Sequence, residues 1–250
     1  MTSLFKKISV LAIAAFVAMA VSAQVKPGVE TLRDGGFEQL KGKRVGLITN
    51  PSGVDNNLVS TIDILANAPG VKLTALYSPE HGVRGDIAAG EKVDTYTDSK
   101  TGVTVYSLYG KNKKPSAEML KDVDVLVYDI QDNGCRSFTF ISTMGLCMEA
   151  CAENGKEFMV LDRPNPLSGL KVEGNLVEEG FFSLVSQFKI PYLYGLTPGE
   201  LALMLNDGML KDGKKTKLTV VPMTGWHRYM TFDQTGMPWI LPSPHQPYPQ

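Results

Sequence analysis

The chain has 250 residues, of which 43% are hydrophobic and 20% charged, and its formal net charge is −1 at pH 7. That length suits one α/β domain or slightly more. No basic stripe, internal repeat or low-complexity tract appears, so nucleic acid is not an expected partner.

The first 23 residues have the three parts of a secretory signal. Lys6 and Lys7 form a positive start, residues 8–20 are an uncharged apolar run, and Val21-Ser22-Ala23 supplies small residues for cleavage before Gln24. The apolar run is short for a membrane span and no stop-transfer pattern follows. The remaining 227 residues are expected to be exported, periplasmic or secreted, without a stable membrane span. Removing the two lysines takes the net charge from −1 to −3. Cys135, Cys147 and Cys151 are an odd set, which leaves at least one thiol unpaired. No His or Cys spacing matches a zinc site, and the three read as small buried apolar side chains.

Strand-like and helix-like segments then alternate. Residues 43–50 (KRVGLITN) form a first strand that runs into Asn-Pro-Ser-Gly. Residues 58–68 have helical apolar spacing, and 71–78 and 103–109 are the second and third strands. A short helix is expected over 116–122, which begins with Ser and carries Glu118. Residues 123–130 (VDVLVYDI) are nearly all apolar, as a strand buried on both faces should be. A long helix follows over 138–154, stopped by Gly155, and then a buried strand over 158–162. This rhythm predicts a Rossmann-like, mainly parallel sheet with helices on both faces, over 24–190. Beyond Arg163 the chain is rich in Pro and Gly. Thr197-Pro198-Gly199-Glu200 is a capping box that opens a helix, and 218–223 is a further strand. Residues 191–250 are expected to begin a smaller C-terminal α+β domain that is incomplete at Gln250. Trp226, Tyr229, Phe232 and Trp239 read as core rather than as sugar-stacking platforms.

In a parallel sheet the carboxyl ends of the strands share one edge, where ligands bind. Four strand exits here are polar. The first carries Asn50. The second carries Glu80, His81 and Arg84. The strand over 123–130 leads into Asp129, Gln131, Asp132 and Arg136, and the next into Asp162, Arg163 and Asn165. Glu173 lies in the Pro/Gly-rich stretch. Neighbouring, partly desolvated carboxylates have their pKa values pushed apart, so one serves as an acid while another stays ionised. Glycoside hydrolysis has that requirement. Arg84, Arg136 and Arg163 would hold an anionic group on the substrate. A metal-dependent phosphoesterase could use a similar set, and a sugar-binding protein could keep the cleft without the catalysis. No organic cofactor is expected, because Asn-Pro-Ser-Gly-Val-Asp replaces G-x-G-x-x-G after the first strand and no Walker A pattern exists. No metal site is expected.

The same loops carry a resemblance. The segments GLITNPSG (46–53), SPEHG (78–82), DIQD (129–132), ISTM (141–144) and LDRPNPL (161–167) resemble motifs of the exo-β-N-acetylmuramidases. So do GLTPGEL (195–201) and PWILPSP (238–244). The resemblance implies a Rossmann-like domain, a smaller second domain and an active cleft between them. It implies removal of terminal N-acetylmuramic acid from the non-reducing end of peptidoglycan fragments, with Glu80 as the main catalytic carboxylate. His81, Asp129, Asp132 and Asp162 complete the candidate catalytic set. Asn50, Arg84, Gln131, Arg136, Arg163, Asn165 and Glu173 are the candidate substrate-binding set. Asn133 and Cys135 depart from the resemblance, since the family commonly has small apolar residues there.

Overall fold

The computed structural model describes residues 24–80, 82–85, 95–244 and 246–249. The expected signal segment, 1–23, lies outside the described residues.

Six parallel strands and one antiparallel edge strand form a single sheet. The strands are β1 (Arg44–Thr49), β2 (Lys72–Ser78), β3 (Tyr96–Thr97), β4 (Thr104–Ser107), β5 (Val125–Asp129) and β6 (Glu157–Leu161). A two-stranded ribbon of β7 (Val172–Glu173) and β8 (Leu193–Tyr194) stands apart, and β9 (Lys217–Val221) returns to the main sheet. The order across the sheet is β3-β4-β2-β1-β5-β6-β9. Successive strands therefore build outward from β1 on one side, and the chain then returns to place β5 on β1's other side. The sheet's topological switch point lies between β1 and β5, where an α/β sheet opens a crevice at its carboxyl edge.

Alternating side chains of these strands feed two cores. On one face Val45, Leu47, Leu76 and Val127 pack under α1 (Gly28–Asp34) and α2 (Thr61–Ala66). On the other face Ile48, Tyr77, Leu126, Tyr128 and Phe158 pack under α3 (Phe140–Asn154) and α4 (Pro198–Met204). The central strands are buried on both faces, so their sequences read as apolar runs rather than alternations. Gly155 ends α3 with φ +61°, a left-handed cap that favours glycine. The capping box at Thr197 and Glu200 opens α4 as its sequence predicts.

Two expectations shift. The helix expected over 58–68 begins only at Thr61, because the Asp55 carboxylate first accepts the amides of Asn57 and Val59 and Leu58 takes φ +63°. The helix expected over 116–122 is a run of turns, with Ser116 accepting from Met119 and the amide of Leu120 bonded to Ser116 and Ala117. A segment that must enter β5 at once has too few residues for helix propagation to offset nucleation. Residues 191–250, expected to begin a second domain, contribute β9 to the same sheet and α4 to the same core. Cys147 and Cys151 are buried and unpaired, and burial pushes the Cys151 thiol up to about 12. Among the described residues no helix is long and apolar enough to cross a membrane.

The segment between β7 and β8 closes over α3 through Phe188. A Cβ built on Gly145, in α3, would lie 2.1 Å from the Phe188 ring. Gly145→Ala should therefore destabilise the protein by about 1–3 kcal/mol through overpacking, although alanine is the better helix former by about 1 kcal/mol. Urea unfolding of the two proteins measures the sign, and a more stable Ala variant would refute the close packing.

Candidate functional site

The carboxyl ends of β1, β5 and β6 are stitched into one edge by side chains. Thr49 Oγ1 donates to the Asp129 carbonyl at 2.9 Å. Asn50 is 2% exposed; its Oδ1 accepts from the amide and hydroxyl of Ser52, and its Nδ2 donates to the Pro242 carbonyl at 3.1 Å. Ser52 Oγ in turn accepts the Gln131 amide at 2.9 Å. The loop after β1 thus grips the loop after β5 across the switch point.

Beneath them lies a buried ion pair. Asp129 is fully buried and Arg163 is 2% exposed. Arg163 reaches Asp129 through Nε at 2.5 Å and Nη2 at 2.9 Å, and Nη2 also donates to the Val54 carbonyl. The Thr61 hydroxyl bonds the second Asp129 oxygen. Both oxygens of Asp129 are therefore held by the protein, which makes the pair a brace across the edge.

Asp162 has the same character. Its Oδ1 accepts the amides of Gly199 (2.7 Å) and Arg163 (3.0 Å), and its Oδ2 accepts the Thr197 hydroxyl at 2.9 Å. The carboxylate thereby joins β6 to the first turn of α4. A Cβ on Gly199 would lie 2.8 Å from the Asp162 carboxyl carbon, so only glycine lets the helix come this close. Burial pushes Asp162 up to about 6 against those three donors.

Asp132 differs. It is 1% exposed, its Oδ2 accepts the Gly134 amide at 2.9 Å and the Tyr194 hydroxyl, and its Oδ1 has no protein partner. Burial pushes its pKa up to about 6. On either side, Gln131 Oε1 and both amide atoms of Asn133 also lack protein partners, although both residues are almost wholly buried. Leaving such a group unsatisfied costs about 1–3 kcal/mol, and ordered water is the usual partner of buried polar atoms of this kind.

The remaining candidates divide. Glu80 follows β2, is half-buried, and receives a hydrogen bond from the Tyr109 hydroxyl beyond β4. His81 lies outside the described residues. Arg84 is turned into a brace: it pairs with both oxygens of Asp98 (2.6 and 3.1 Å) and with Asp63 at 3.0 Å. Its guanidinium holds the Asp98 carboxyl down at about 2. Arg136 does not reach Asp132. Its Nη1 donates to the Asn175 and Ile190 carbonyls at 2.5 and 2.9 Å, and its guanidinium lies 5.7 Å from the Tyr192 ring centre. Asn165 holds its own loop, accepting from Leu167 and donating to the Leu196 carbonyl. Glu173 is exposed on β7, whose partner β8 delivers Tyr194 to Asp132. Beside the Glu80 loop, a 350 Å³ cavity is lined mainly by Pro51, Trp239, Leu241 and Pro242, with Arg84 on its wall. Phe232 is buried edge-on against Trp239, whereas Tyr229 is exposed and stacks on His227. Among the described residues no group of three or more His, Cys, Asp or Glu side chains could hold a metal ion.

Sequence reading misses Tyr109, Tyr194, Thr61 and Ser52. Tyr109 stood at the exit of the expected third strand, so its place was legible though not its role. Nothing local to Tyr194 signals a carboxylate 62 residues away.

Two outcomes follow. Removing Arg163 leaves Asp129 as an unpaired buried charge, so Arg163→Met should cost about 3–5 kcal/mol, and adding Asp129→Asn should restore part of it; denaturant titration of the three proteins checks this. Asp132 gives a pH signature. Between pH 3.8 and about 6 the folded state holds a proton there that the unfolded state has released, so this group's contribution to stability falls as pH rises through that window. Asp132→Asn should match the parent near pH 4 and exceed it at pH 7 by up to about 3 kcal/mol. Equal stabilities at pH 7 would show that Asp132 is not protonated by burial.

Comparison with known proteins places this edge in a family. Residues 45–250 match the model described as exo-beta-N-acetylmuramidase NamZ, N-terminal. The chain is 54% identical over 228 residues to the peptidoglycan beta-N-acetylmuramidase NamZ of Bacillus subtilis (strain 168), covering 91% of this chain and 54% of that protein. Two solved DUF1343 family proteins of Bacteroides fragilis NCTC 9343 are also similar. One superposes with TM-score 0.85 at 66% identity, over 90% of this chain and 57% of the other. The second gives TM-score 0.74 at 36% identity, over 84% and 55%. This chain therefore spans a little over half the length of the relatives it matches. The family match over 45–250 means that the chain belongs to the exo-β-N-acetylmuramidase NamZ family, in the N-terminal part of its members.

Proposed function

We propose that this chain carries the catalytic edge of an exo-acting glycosidase that releases terminal β-N-acetylmuramic acid from the non-reducing end of peptidoglycan fragments. One observation carries the reading. At the switch point of a sheet of this family, a buried carboxyl, Asp132, keeps one oxygen free of protein partners among unmet amides. Most glycoside hydrolases use two carboxyl groups with different tasks. Glu80, on the exit loop of β2 with β1 between it and β5, is the principal acid/base, and its bond from Tyr109 fixes the carboxylate's orientation. Asp132 is the second carboxyl, because Asp129 and Asp162 have both oxygens committed to the scaffold. Arg136, of the three candidate arginines, is the one without a carboxylate partner among the described residues, and it is left to meet the lactyl carboxylate of muramic acid.

Peptidoglycan lies outside the inner membrane. Residues 1–23 are accordingly read as an export signal, and the protein as periplasmic or secreted.

A chromogenic β-N-acetylmuramide, assayed with the full-length protein, tests the reading. Glu80→Gln should lower kcat/KM by about 100- to 10,000-fold, the usual worth of a general acid or base. Asp132→Asn should lower it by at least about 100-fold while remaining folded at pH 7. Full activity in the Glu80→Gln protein would remove Glu80 from its role, and no hydrolysis by the parent would overturn the activity itself.

A further inference from the structure

Beyond the edge formed by β1, β5 and β6, the chain that leaves β4 borders an open cavity of 610 Å³. Lys111, Lys113 and Lys114 line it from that chain, with Leu146 of α3 and with Phe182 and Gln187 of the segment between β7 and β8. No carboxylate lines it. Lys114 is held by Glu149 at 3.5 Å and Glu153 at 2.7 Å, both on α3. Lys111 and Lys113 are exposed and form no ion pair among the described residues. The loop is pinned on either side of them, by Lys114 on α3 and by Tyr109, whose hydroxyl bonds Glu80. Two ammonium groups are thus presented on an anchored loop, and no described carboxylate cancels their charge. A cleft lined by one sign of charge gathers ligands of the other sign.

Both borders of the cavity lead back to the proposed catalytic carboxyls. Lys111 is two residues from Tyr109, at most about 7 Å along an extended chain. The segment that carries Phe182 and Gln187 runs into β8, which brings Tyr194 to Asp132. That segment also gives Leu176, Phe181 and Ser186 to a 230 Å³ cavity lined by Arg136. One short stretch of chain, residues 176–187, therefore borders both the Arg136 cavity and the lysine cavity. In the glycan of peptidoglycan, N-acetylmuramic acid alternates with N-acetylglucosamine, so acid arms recur on every second sugar. With the terminal arm on Arg136, the next arm lies two sugars on, past a neutral sugar. The terminal sugar is at the non-reducing end, so the rest of the fragment leaves the carboxyls on the leaving-group side alone.

We infer that the cavity bordered by Lys111 and Lys113 is a leaving-group subsite that takes the lactyl carboxylate of the second muramic acid, so that the enzyme prefers fragments of three or more sugars. This rests on the muramic-acid reading of the site. Lysine suits such a partner: its ammonium is a mobile point charge that follows a carboxylate on a flexible arm without demanding a fixed two-pronged geometry. The contact is remote from the bond that breaks and is the same before and during the reaction, so it acts on KM more than on kcat.

The test measures release of terminal N-acetylmuramic acid by the full-length protein from three substrates. They are the disaccharide N-acetylmuramyl-N-acetylglucosamine, the trisaccharide that adds a second N-acetylmuramic acid, and the same trisaccharide with the added carboxylate converted to its amide. The parent should favour the acid trisaccharide over the other two by about 3- to 30-fold in kcat/KM, the worth of one or two exposed charge pairs, chiefly through KM. Salt near about 1 M should remove most of that preference. The double substitution Lys111→Gln/Lys113→Gln should abolish it and leave hydrolysis of the disaccharide unchanged. Lys111→Glu/Lys113→Glu should reverse it, making the amide the better substrate. All four changes are on exposed side chains, so both proteins should fold as the parent does. A preference for the acid that survives in both variants, or the absence of one in the parent, would overturn the inference. If the parent hydrolyses none of the three, the glycosidase reading fails, and calorimetric titration with the acid and amide trisaccharides decides the subsite by itself. Tighter binding of the acid that Lys111→Gln/Lys113→Gln removes would support it; equal binding, or a preference which that variant keeps, would overturn it.

Discussion

The pairing of Asp129 with Arg163 is the constraint on which the carboxyl edge depends. A charge removed from water is costly unless an opposite charge and hydrogen bonds replace the water. Both partners are almost wholly buried, so each fixes the other's place. Asp129 ends β5 and Arg163 follows β6, while the remaining donors and acceptors come from Val54 and Thr61 in and after the β1 exit loop. Three strand exits are therefore held by one electrostatic requirement. The bond from Thr49 to the Asp129 carbonyl and the Asn50–Ser52–Gln131 chain extend that frame along the edge.

Within this frame three aspartates of similar sequence context have different fates. Asp129 meets a guanidinium and is neutralised as a pair. Asp162 meets backbone amides at the start of α4 and becomes a joint between strand and helix. Asp132 meets the amides of Gly134 and Asn133 and one tyrosine hydroxyl, yet its Oδ1 keeps no partner at hydrogen-bonding geometry. Burial without a cation raises the pKa of both Asp132 and Asp162 to about 6, but of the two only Asp132 keeps an oxygen without a protein partner. The difference lies in which oxygens the donors reach rather than in depth of burial. A stabler scaffold would satisfy Asp132 Oδ1 as well.

The sheet and its polar edge were legible because their causes are local. Strands buried on both faces must be apolar throughout, which is how 123–130 and 158–162 announce themselves. Thr197 and Glu200 carry their capping box within four residues. The turn-rich stretch over 116–122 was not legible, because its fate is set by the need to enter β5 and not by its own propensities. Roles were harder to read than positions. Arg84 sits in the predicted loop, but its partners Asp98 and Asp63 come from elsewhere in the chain and no pattern near Arg84 names them. The same holds for Tyr194, which reaches Asp132 only because the β7–β8 ribbon folds back.

The arginines change the account of recognition most. A sequence with Arg84, Arg136 and Arg163 at strand exits suggests a cationic clamp for an acidic sugar. In the fold, Arg84 and Arg163 are neutralised by aspartates, and a neutralised guanidinium has little field left for a substrate anion. Among the described residues Arg136 meets two carbonyls and the Tyr192 ring, which orient it without cancelling its charge. Among the described residues the edge is thus poor in free cations and rich in unmet oxygens.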